Sequence, residues 1–426
     1  MRVFLFRSND IEKSSYIWNM AGSMILAFQS VILLMVITRV IGLEAAGIYT
    51  IAYANANLFL TIGKYGMRYF QVSDVKDEYS FPEYLSSRWI TTMAMLVVSI
   101  IYGIVLSGRD GYSIDKIYII LWMCLFKAVD SLEDVYHGLY QQKGRLDVAS
   151  KVLTLRMVIT ILFFVIVLIV TKNLCWALIL STVLTMVLFV VFTFITFNLF
   201  KSDKVKIRWR KVGAVLIQCF PLFVGGFLSF YIGNAPKYAI DMYLSDEMQA
   251  CYGFIAMPVF VIGLLNGFIF NPMLYKISLL WYNKEVKTFI KRTVRQSLIV
   301  VAITIICMLG GYLLGIPVLS ALYSTDLSNY KTELLILLLG GGFLGLSGWL
   351  NTVLTIMRYQ HTVIFAYGIV ALLALVTSNS IVSKYEILGA SLLYTGLMAI
   401  LCLAFILLII YGLIKSQRTM SKKALS

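Results

Sequence analysis

Twelve stretches of mostly apolar residues, each long enough to cross a lipid bilayer, constrain this chain more than any other feature of its sequence. One helical crossing needs about 20 such residues, and a hydropathy window of about 19 residues places the spans along the whole chain. The predicted spans cover residues 17–38, 46–63, 89–107, 117–136, 152–170, 174–197, 213–235, 250–270, 296–316, 334–356, 362–382 and 387–413. The fold class that this pattern predicts is all-α, a polytopic membrane protein with about 12 transmembrane helices.

Composition excludes the main alternatives to a helical membrane protein. Apolar residues make up 60% of the chain and charged residues only 13%, against roughly 25% charged in a soluble domain. An outer-membrane β-barrel is also excluded, because its alternating strands do not produce long unbroken apolar runs.

Sequence motifs for catalysis or cofactor binding are missing as well. The six cysteines lie singly inside apolar runs, and the two histidines, His137 and His361, are far apart. This pattern does not favour a zinc site or a redox pair. The sequence also lacks a phosphate-binding G-x-x-x-x-G-K-[ST] loop, which makes ATP hydrolysis by this chain improbable. We therefore expect no cofactor, no metal and no enzymatic activity.

The distribution of positive charge predicts the orientation in the membrane. If both termini lie on one side, the segments on that side hold 29 of the 36 Lys and Arg residues and the opposite side holds seven. Positively charged loops stay in the cytoplasm and are held there by anionic lipid, so both termini are predicted to be cytoplasmic. Because the basic residues lie between apolar runs, the net charge of +15 points to membrane lipid and not to nucleic acid.

A basic stretch near residues 201–211 divides the chain into two sets of six spans. We predict an N-terminal six-helix bundle over residues 1–205 and a C-terminal six-helix bundle over residues 206–426. Because six is an even number, the two halves would enter the membrane from the same side, as parallel repeats do.

One helix carries a polar stripe along its whole length. In the second predicted span, polar and aromatic residues follow one another by three or four positions, so they fall within an arc of about 120°. Facing lipid, their hydrogen-bonding groups would remain unpaired. The stripe therefore either lines a hydrated lumen or joins packed helices; its members are Tyr49, Tyr53, Asn57, Thr61, Lys64 and Arg68.

The fourth predicted span contains four charged residues, which is unusual inside a membrane. Lys127 and Asp130 are three residues apart and Asp134 follows four residues later, so these side chains share one helix face. Arg156, near the start of the fifth span, is placed to pair with the acidic residues, which also include Glu133. Charges inside a span are costly and mark either a pathway or a paired structural network; a third reading is that the span ends early.

Two further features lie in or next to the later spans. Lys237 and Asp241 follow the seventh span at its predicted external end, where they could place charge near the opening of a cavity. The run from Gly340 to Gly348 in the tenth span permits either close packing of helices or bending, and close packing is the favoured interpretation.

At the level of local motifs, the chain resembles the Wzx-type polysaccharide flippases. These belong to the multidrug/oligosaccharidyl-lipid/polysaccharide (MOP) superfamily, which also contains the multidrug and toxin extruders (MATE) and the peptidoglycan-precursor flippase. The resemblance rests on residues 38–49 (TRVIGLEAAGIY), 63–68 (GKYGMR) and 235–241 (APKYAID). Twelve spans fit the polysaccharide branch, whereas fourteen would be expected of the peptidoglycan-precursor flippase.

The resemblance implies two six-helix bundles that alternately open a central cationic cavity to the two sides of the bacterial inner membrane. The implied cargo is an oligosaccharide linked to undecaprenyl pyrophosphate. We expect cations to attract the pyrophosphate, aromatic and amide side chains to line the sugar path, and two outer cations to receive charge near the external opening. The cations expected to attract the pyrophosphate are Arg68, Lys64, Lys127 and Arg156. The side chains expected to line the sugar path are Tyr49, Tyr53 and Asn57, and the two outer cations are Arg39 and Lys237.

An ion gradient could drive such transport, with H⁺ or Na⁺ carried by a carboxylate. The candidates are Asp130, Glu133, Asp134 and Asp241. Salt bridging of these acids to neighbouring cations is an equally good interpretation. Two rival functions remain: an ion-coupled extruder of drugs or other small molecules with the same fold, and a membrane-embedded glycan polymerase. A polymerase would be expected to carry a long external loop with catalytic Arg or His, and no such loop is evident in the sequence.

Overall fold

The computed structural model describes residues 2–8, 10–74, 76–108, 112–197, 200, 207–270 and 274–424. Within these ranges every regular element is a helix and none is a β-strand. The all-α prediction is therefore confirmed. Part of the basic stretch that was used to divide the chain, residues 201–206, lies outside the described residues.

The helices of the first part of the chain follow its first apolar runs. They are α1 (Arg2–Phe6), α2 (Ile11–Val40), α3 (Leu43–Lys64), α4 (Met67–Ser73), α5 (Phe81–Ser107), α6 (Ile114–Gln142) and α7 (Leu146–Thr171). The helices that come after them are α8 (Leu174–Phe197), α9 (Trp209–Tyr243), α10 (Asp246–Ala256), α11 (Val259–Phe270), α12 (Leu274–Tyr282), α13 (Val286–Gly310), α14 (Ile316–Tyr323), α15 (Lys331–Ile356) and α16 (Gln360–Ala424).

Each predicted span falls on one of these helices or on a broken pair of them. Among the described residues, eight helical stretches are long and apolar enough to cross a membrane by length and composition. The last of these, His361–Lys415, is interrupted at Glu386, whose backbone is not helical (φ 47°, ψ −132°), which agrees with the two spans predicted there. The chain is a multi-pass helical membrane protein.

Two interruptions in the helices have visible causes. The eighth predicted span is split into α10 and α11 at Pro258, which cannot donate a backbone hydrogen bond within a helix. Between α13 and α14, Gly311–Gly315 forms a π-helical turn, and Pro317 is the second residue of the helix that follows it. Both interruptions lie in the second half of the chain, where five of its six prolines occur.

The chain divides into two compact units, Met1–Phe227 and Leu228–Ser426. In the first unit, α6 is central, because it packs against α3, α4, α5, α7 and α8. In the second unit, α15 is central and packs against α10, α11, α13 and α16. The predicted bundle boundary between residues 205 and 206 lies outside the described residues and stays a prediction.

Glycine allows α15 to pack closely against its neighbours. A Cβ atom added to Gly340 would lie 2.6 Å from Tyr394 Cδ1 and 2.7 Å from Thr395 Oγ1, both on α16. These distances are shorter than normal van der Waals contacts, so a larger side chain would force the helices apart. The prediction that this glycine run serves close packing agrees with the structure, in which α15 continues unbroken from Lys331 to Ile356.

We expect Gly340→Ala to destabilise the second unit by about 1–3 kcal/mol, the usual cost of overpacking a tight contact. The measurement is the free energy of unfolding of purified protein in detergent. Gly348→Ala is the matched control on the same helix, because no atom lies within 4 Å of an added Cβ there. Equal stabilities of the two variants would contradict the packing argument.

Candidate functional site

The four charged side chains predicted within the fourth span lie buried on α6 in the first unit. Lys127 is 1% exposed and Glu133 is 4% exposed, while Asp130 and Asp134 are only slightly more accessible. Their helical spacing brings Lys127 Nζ to 3.2 Å from Asp130 Oδ2. The same ammonium group lies 5.0 Å from the centre of the Tyr53 ring on α3, within the range of a cation–π contact. The charges predicted within the fourth span are thus present inside the protein.

Arg156 of α7 joins two of these carboxylates. Its Nη2 donates to Asp130 Oδ1 at 2.6 Å and to Glu133 Oε2 at 2.7 Å, and its Nε donates to Glu133 Oε1 at 2.9 Å. The side chain is 0% exposed. Such charge-assisted, two-pronged pairing is the strongest form of hydrogen bond that Arg makes with carboxylates. The salt-bridge interpretation of Asp130 and Glu133 is therefore the arrangement that the structure contains.

A third buried cation, Arg88 of α5, was not recognised from the sequence. Its Nη2 donates to Asp134 Oδ2 at 2.9 Å, and its Nη1 donates to the carbonyl of Gly63 at 2.7 Å. Thr91 donates to the same carbonyl at 2.8 Å. This carbonyl belongs to the last turn of α3, where helical C=O groups lack partners within the helix. Arg88 consequently ties the end of α3 to the acidic face of α6.

Arg68 reaches the same acid from another direction. The chain turns sharply after α3, with Tyr65 and Gly66 in the left-handed region (φ 53° and 65°). A Cβ atom on Gly66 would lie 2.6 Å from Leu222 Cβ. This position therefore needs glycine both for its left-handed backbone and for the close approach of Leu222. The turn directs α4 back toward α6, where Arg68 donates to Gln141 Oε1 at 3.0 Å and lies 3.5 Å from Asp134.

The polar stripe forms the accessible side of α3. Between Ile51 and Gly63 every side chain is buried except Tyr53, Asn57, Thr61 and Ile62, which are partly exposed. Lys64, the last residue of α3, is also partly exposed, and so is Arg68, which lies on α4 beyond the turn. The packed sides of α3 are therefore mostly apolar or small, with Asn55 as a buried polar exception, and the accessible side carries the predicted polar groups. The prediction that one continuous helix carries the stripe as far as Arg68 is wrong, because the helix ends at Tyr65 and Gly66.

Tyr49 differs from the rest of the stripe. It is 1% exposed, and its ring lies against that of Tyr53 at a centroid distance of 5.8 Å. In this structure the Tyr49 ring packs against the Tyr53 ring and has almost no exposed surface with which to touch a sugar. Its placement in the sugar path stays a prediction.

Eight charged residues together make up a site that we call the α3–α6 charge cluster. It contains Lys64, Arg68, Arg88, Lys127, Arg156, Asp130, Glu133 and Asp134. Five cations against three carboxylates leave a formal excess of two positive charges. Lys64 lies close enough to interact electrostatically with all three carboxylates, yet it makes no ion pair within 4 Å among the residues that the structure describes. Lys64 and Arg68 are thus the cluster's accessible cations, and they lie where the polar stripe ends.

Three predicted site residues lie outside the cluster. Arg39 is in the last turn of α2 and is exposed, whereas Lys237 and Asp241 belong to the second unit, one helical turn apart on α9 and partly buried. Their assigned roles at an external opening and in ion coupling stay predictions. Across the described part of the chain, no group of three His, Cys, Asp or Glu side chains is arranged to hold a metal ion.

Comparison with known sequences does not identify this chain. No protein-family model matches it, and no curated protein matches its sequence. Comparison of the fold with solved structures, in contrast, gives matches over nearly the whole chain.

Three solved structures illustrate the likeness. The lipid II flippase MurJ in an inward closed conformation aligns with a TM-score of 0.70 at 13% identity, covering 94% of this chain and 87% of that one. The MATE multidrug transporter DinF-BH, solved with a bound ligand, gives 0.66 at 12% identity over 94% and 95%. An inward-facing multidrug resistance MATE family transporter of the MOP superfamily gives 0.61 at 13% identity over 95% and 99%. The chain has the MOP-superfamily transporter fold.

This MOP-type fold agrees with the superfamily that the sequence resembles. Identities of 12–13% support a shared fold and carry no residue roles across, so the function must be argued from the site itself. Both lipid-linked cargo and drugs appear among the names of these transporters. The cluster geometry is what can discriminate between the two kinds of cargo.

Proposed function

We propose that this protein is a flippase that moves an undecaprenyl-pyrophosphate-linked oligosaccharide from the cytoplasmic to the external leaflet of a bacterial inner membrane. In this proposal both termini are cytoplasmic, the product serves surface polysaccharide assembly, and transport proceeds by alternating access. A glycan and a pyrophosphate cannot cross hydrocarbon unaided, whereas the polyprenyl tail can stay in lipid.

The observation that carries the proposal is the positive excess of the α3–α6 charge cluster. Its three carboxylates are held at 2.6–3.2 Å by the three enclosed cations Arg88, Lys127 and Arg156. These six charges neutralise one another and leave two cations over. The accessible pair, Lys64 and Arg68, is chemically suited to pyrophosphate, since Arg binds phosphate in a two-pronged fashion and Lys binds it as a point charge.

Within the site the residues would have two kinds of role. Lys64 and Arg68 would contact the pyrophosphate, while Tyr53 and Asn57 on the accessible side of α3 would meet sugar faces and hydroxyls. Lys127 and Arg156, with at most 1% of each residue exposed, would act indirectly by holding the carboxylates of α6 in place. This division refines the expectation that all four cations bind the pyrophosphate together.

A second candidate function is ion-coupled export of cationic drugs. The buried acids Asp130, Glu133 and Asp134 favour it, because an extruder of cations needs negative charge in its cavity and a coupling ion needs a carboxylate. Pairing of all three acids with Arg or Lys argues for the flippase, since a paired carboxylate has less charge to offer a cation. Asp241 in the second unit stays a candidate for carrying H⁺ or Na⁺ under either function.

The deciding experiment uses purified protein reconstituted in lipid vesicles. One set of vesicles carries a polyprenyl-pyrophosphate-linked oligosaccharide with a fluorescent label on the sugar, and another is offered a cationic rhodamine dye. We expect the labelled sugar to become accessible to an external membrane-impermeant quencher, with no protein-dependent movement of the dye. Transport of the dye alone would overturn the flippase proposal in favour of the extruder.

The same vesicles test ion coupling. The assay is repeated after an ionophore collapses the proton gradient, and again without a Na⁺ gradient. A large drop in sugar movement in one condition identifies the coupling ion. Unchanged sugar movement in both conditions excludes H⁺ or Na⁺ coupling through Asp130, Glu133, Asp134 or Asp241.

A further inference from the structure

A second feature, in the other unit, has no part in the proposed transport site. An apolar groove of about 360 Å³ runs between α13 and the last part of α16, and Leu346 and Leu350 of α15 line it as well. Its α13 side carries Ile290, Val294 and Leu298, of which Val294 is 53% exposed and Leu298 is 62% exposed. We call this feature the α13–α16 groove.

The groove is suited to a hydrocarbon chain. Its α16 side consists of Ile406, Ile409, Ile410 and Leu413, and apart from Thr293 and Ser297 every lining residue is apolar. Ser297 directs its hydroxyl to the backbone carbonyl of Thr293 at 3.1 Å. A polar molecule entering the groove would therefore lose its hydrogen bonds to water and find few replacements.

Cations cluster where α13 enters the groove. Lys287, Lys291, Arg292 and Arg295 are all exposed, and none of them forms an ion pair among the residues that the structure describes. On a helix that turns 100° per residue, Lys287 and Lys291 lie above the groove-lining face of Ile290, Val294 and Leu298, whereas Arg292 lies on the opposite face. Unpaired charge thus stands at one end of the groove, on the groove side.

Aromatic residues lie near the cationic end of the groove. Tyr282, at the end of α12, is 82% exposed, and Trp281 packs on Phe289, a groove residue, with ring centroids 5.0 Å apart. Exposed Tyr and Trp are typical of the membrane–water interface. The predicted topology makes this end of the groove cytoplasmic, where anionic lipid headgroups attract Lys and Arg.

We propose that the α13–α16 groove binds an anionic phospholipid of the bilayer, with one acyl chain in the groove and its headgroup phosphate on Lys287 and Lys291. Charge complementarity decides between lipids, because a zwitterionic headgroup would gain little from two unpaired cations. The site is separate from the α3–α6 charge cluster and does not depend on the identity of the cargo.

The test measures retention of lipid on purified, detergent-solubilised protein by native mass spectrometry. The probes are dioleoyl phosphatidylglycerol, dioleoyl phosphatidylcholine and inorganic phosphate. We expect the phosphatidylglycerol to be retained in preference to the phosphatidylcholine, and inorganic phosphate not to displace it. Lys287→Gln should weaken phosphatidylglycerol binding about fivefold, which corresponds to about 1 kcal/mol for one cation near an anionic lipid surface.

Matched variants separate the groove from nonspecific effects. Arg292→Gln removes the same charge from the opposite face of α13 and should leave retention unchanged. Val294→Trp fills the groove and should abolish preferential retention, while Val190→Trp, at a 62% exposed position on α8, should not. Because Val294 is more than half exposed, its replacement by Trp is compatible with folding.

Three results would overturn the proposal. The first is equal retention of the two phospholipids, and the second is equal loss in Lys287→Gln and Arg292→Gln. The third is displacement of phosphatidylglycerol from the unaltered protein by a polyprenyl pyrophosphate, together with loss of polyprenyl pyrophosphate retention in Val294→Trp, which would make the groove a site for the cargo's tail. Failure of the flippase proposal would show in the vesicle assay and leave lipid retention untouched, so the two outcomes are distinguishable.

Discussion

Arg156→Gln is expected to destabilise the first unit by about 3–5 kcal/mol, because it leaves buried carboxylates without their cation. Arg156 is fully buried and makes three hydrogen bonds of 2.6–2.9 Å to Asp130 and Glu133. Asp130 would keep Lys127 at 3.2 Å, but Glu133 would lose its Arg partner. The measurement is the free energy of unfolding of purified protein in detergent.

A double-mutant cycle separates loss of the pair from loss of the Arg side chain. Adding Glu133→Gln to Arg156→Gln removes the uncompensated charge, so the double variant should be more stable than Arg156→Gln alone. Lys143→Gln is the surface control, because the Lys143–Asp77 pair spans 3.4 Å between side chains that are 48% and 63% exposed. Its removal should cost about 0–1 kcal/mol. An Arg156→Gln variant no less stable than this control would show that the cluster does not hold the helices together.

The largest effect on transport is expected from removing both accessible cations. Lys64→Gln combined with Arg68→Gln should reduce sugar movement at low cargo concentration by at least tenfold, since each charge-assisted hydrogen bond to phosphate contributes about 1.5–3 kcal/mol. The loss should appear mainly as weaker apparent affinity for the cargo. The assay is the vesicle measurement described above, at matched protein density.

Charge-conserving and charge-matched variants distinguish binding from structural damage. Lys64→Arg and Arg68→Lys keep the positive charge and should retain most of the transport. Lys143→Gln removes a positive charge outside the cluster and should have no effect. Arg68 is partly exposed, and Asp134 would keep its pair with Arg88 at 2.9 Å, so removal of Arg68 should cost little stability. Full transport by the double variant would contradict the assignment of these two cations to the pyrophosphate.

The enclosed and the accessible cations of the α3–α6 charge cluster have different roles. Arg88 and Arg156 are enclosed and satisfy the acids of α6, and their loss should therefore be felt in stability. Lys64 and Arg68 stand on the accessible side, and their loss should be felt in transport. A buried ion network next to an accessible cationic surface combines rigidity with charge, which is what a preorganised anion site needs.

Local patterns in the sequence predicted much of this site. The three-residue spacing of Lys127 and Asp130 indicated a shared helix face, and their ammonium and carboxylate groups are 3.2 Å apart. The stripe from Tyr53 to Lys64 was evident from its helical period, and its residues are partly exposed on α3, whereas Arg68 lies on α4. Both features depend on one helix only, and helical geometry follows directly from sequence position.

Arg88 shows where this reasoning stopped. It lies one position before the third predicted span, which starts at residue 89, and so fell in the segment between two spans. Helix α5 actually begins at Phe81, where Ser80 and Glu83 form a capping box, so Arg88 lies well inside the helix. Its partners, Gly63 and Asp134, are 25 and 46 residues away, and no periodicity within one helix links positions so far apart in the chain.

The sequence by itself determined that this is a helical membrane protein, where its spans lie and which helices carry charge, because hydrophobic length and helical period act locally along the chain. The tertiary structure alone decided which charges neutralise one another, that Tyr49 is enclosed while Tyr53 is not, and that Lys64 and Arg68 remain accessible. Those outcomes depend on which helices pack together, and the free energy of a buried charge is set by neighbours in space and not by neighbours in sequence.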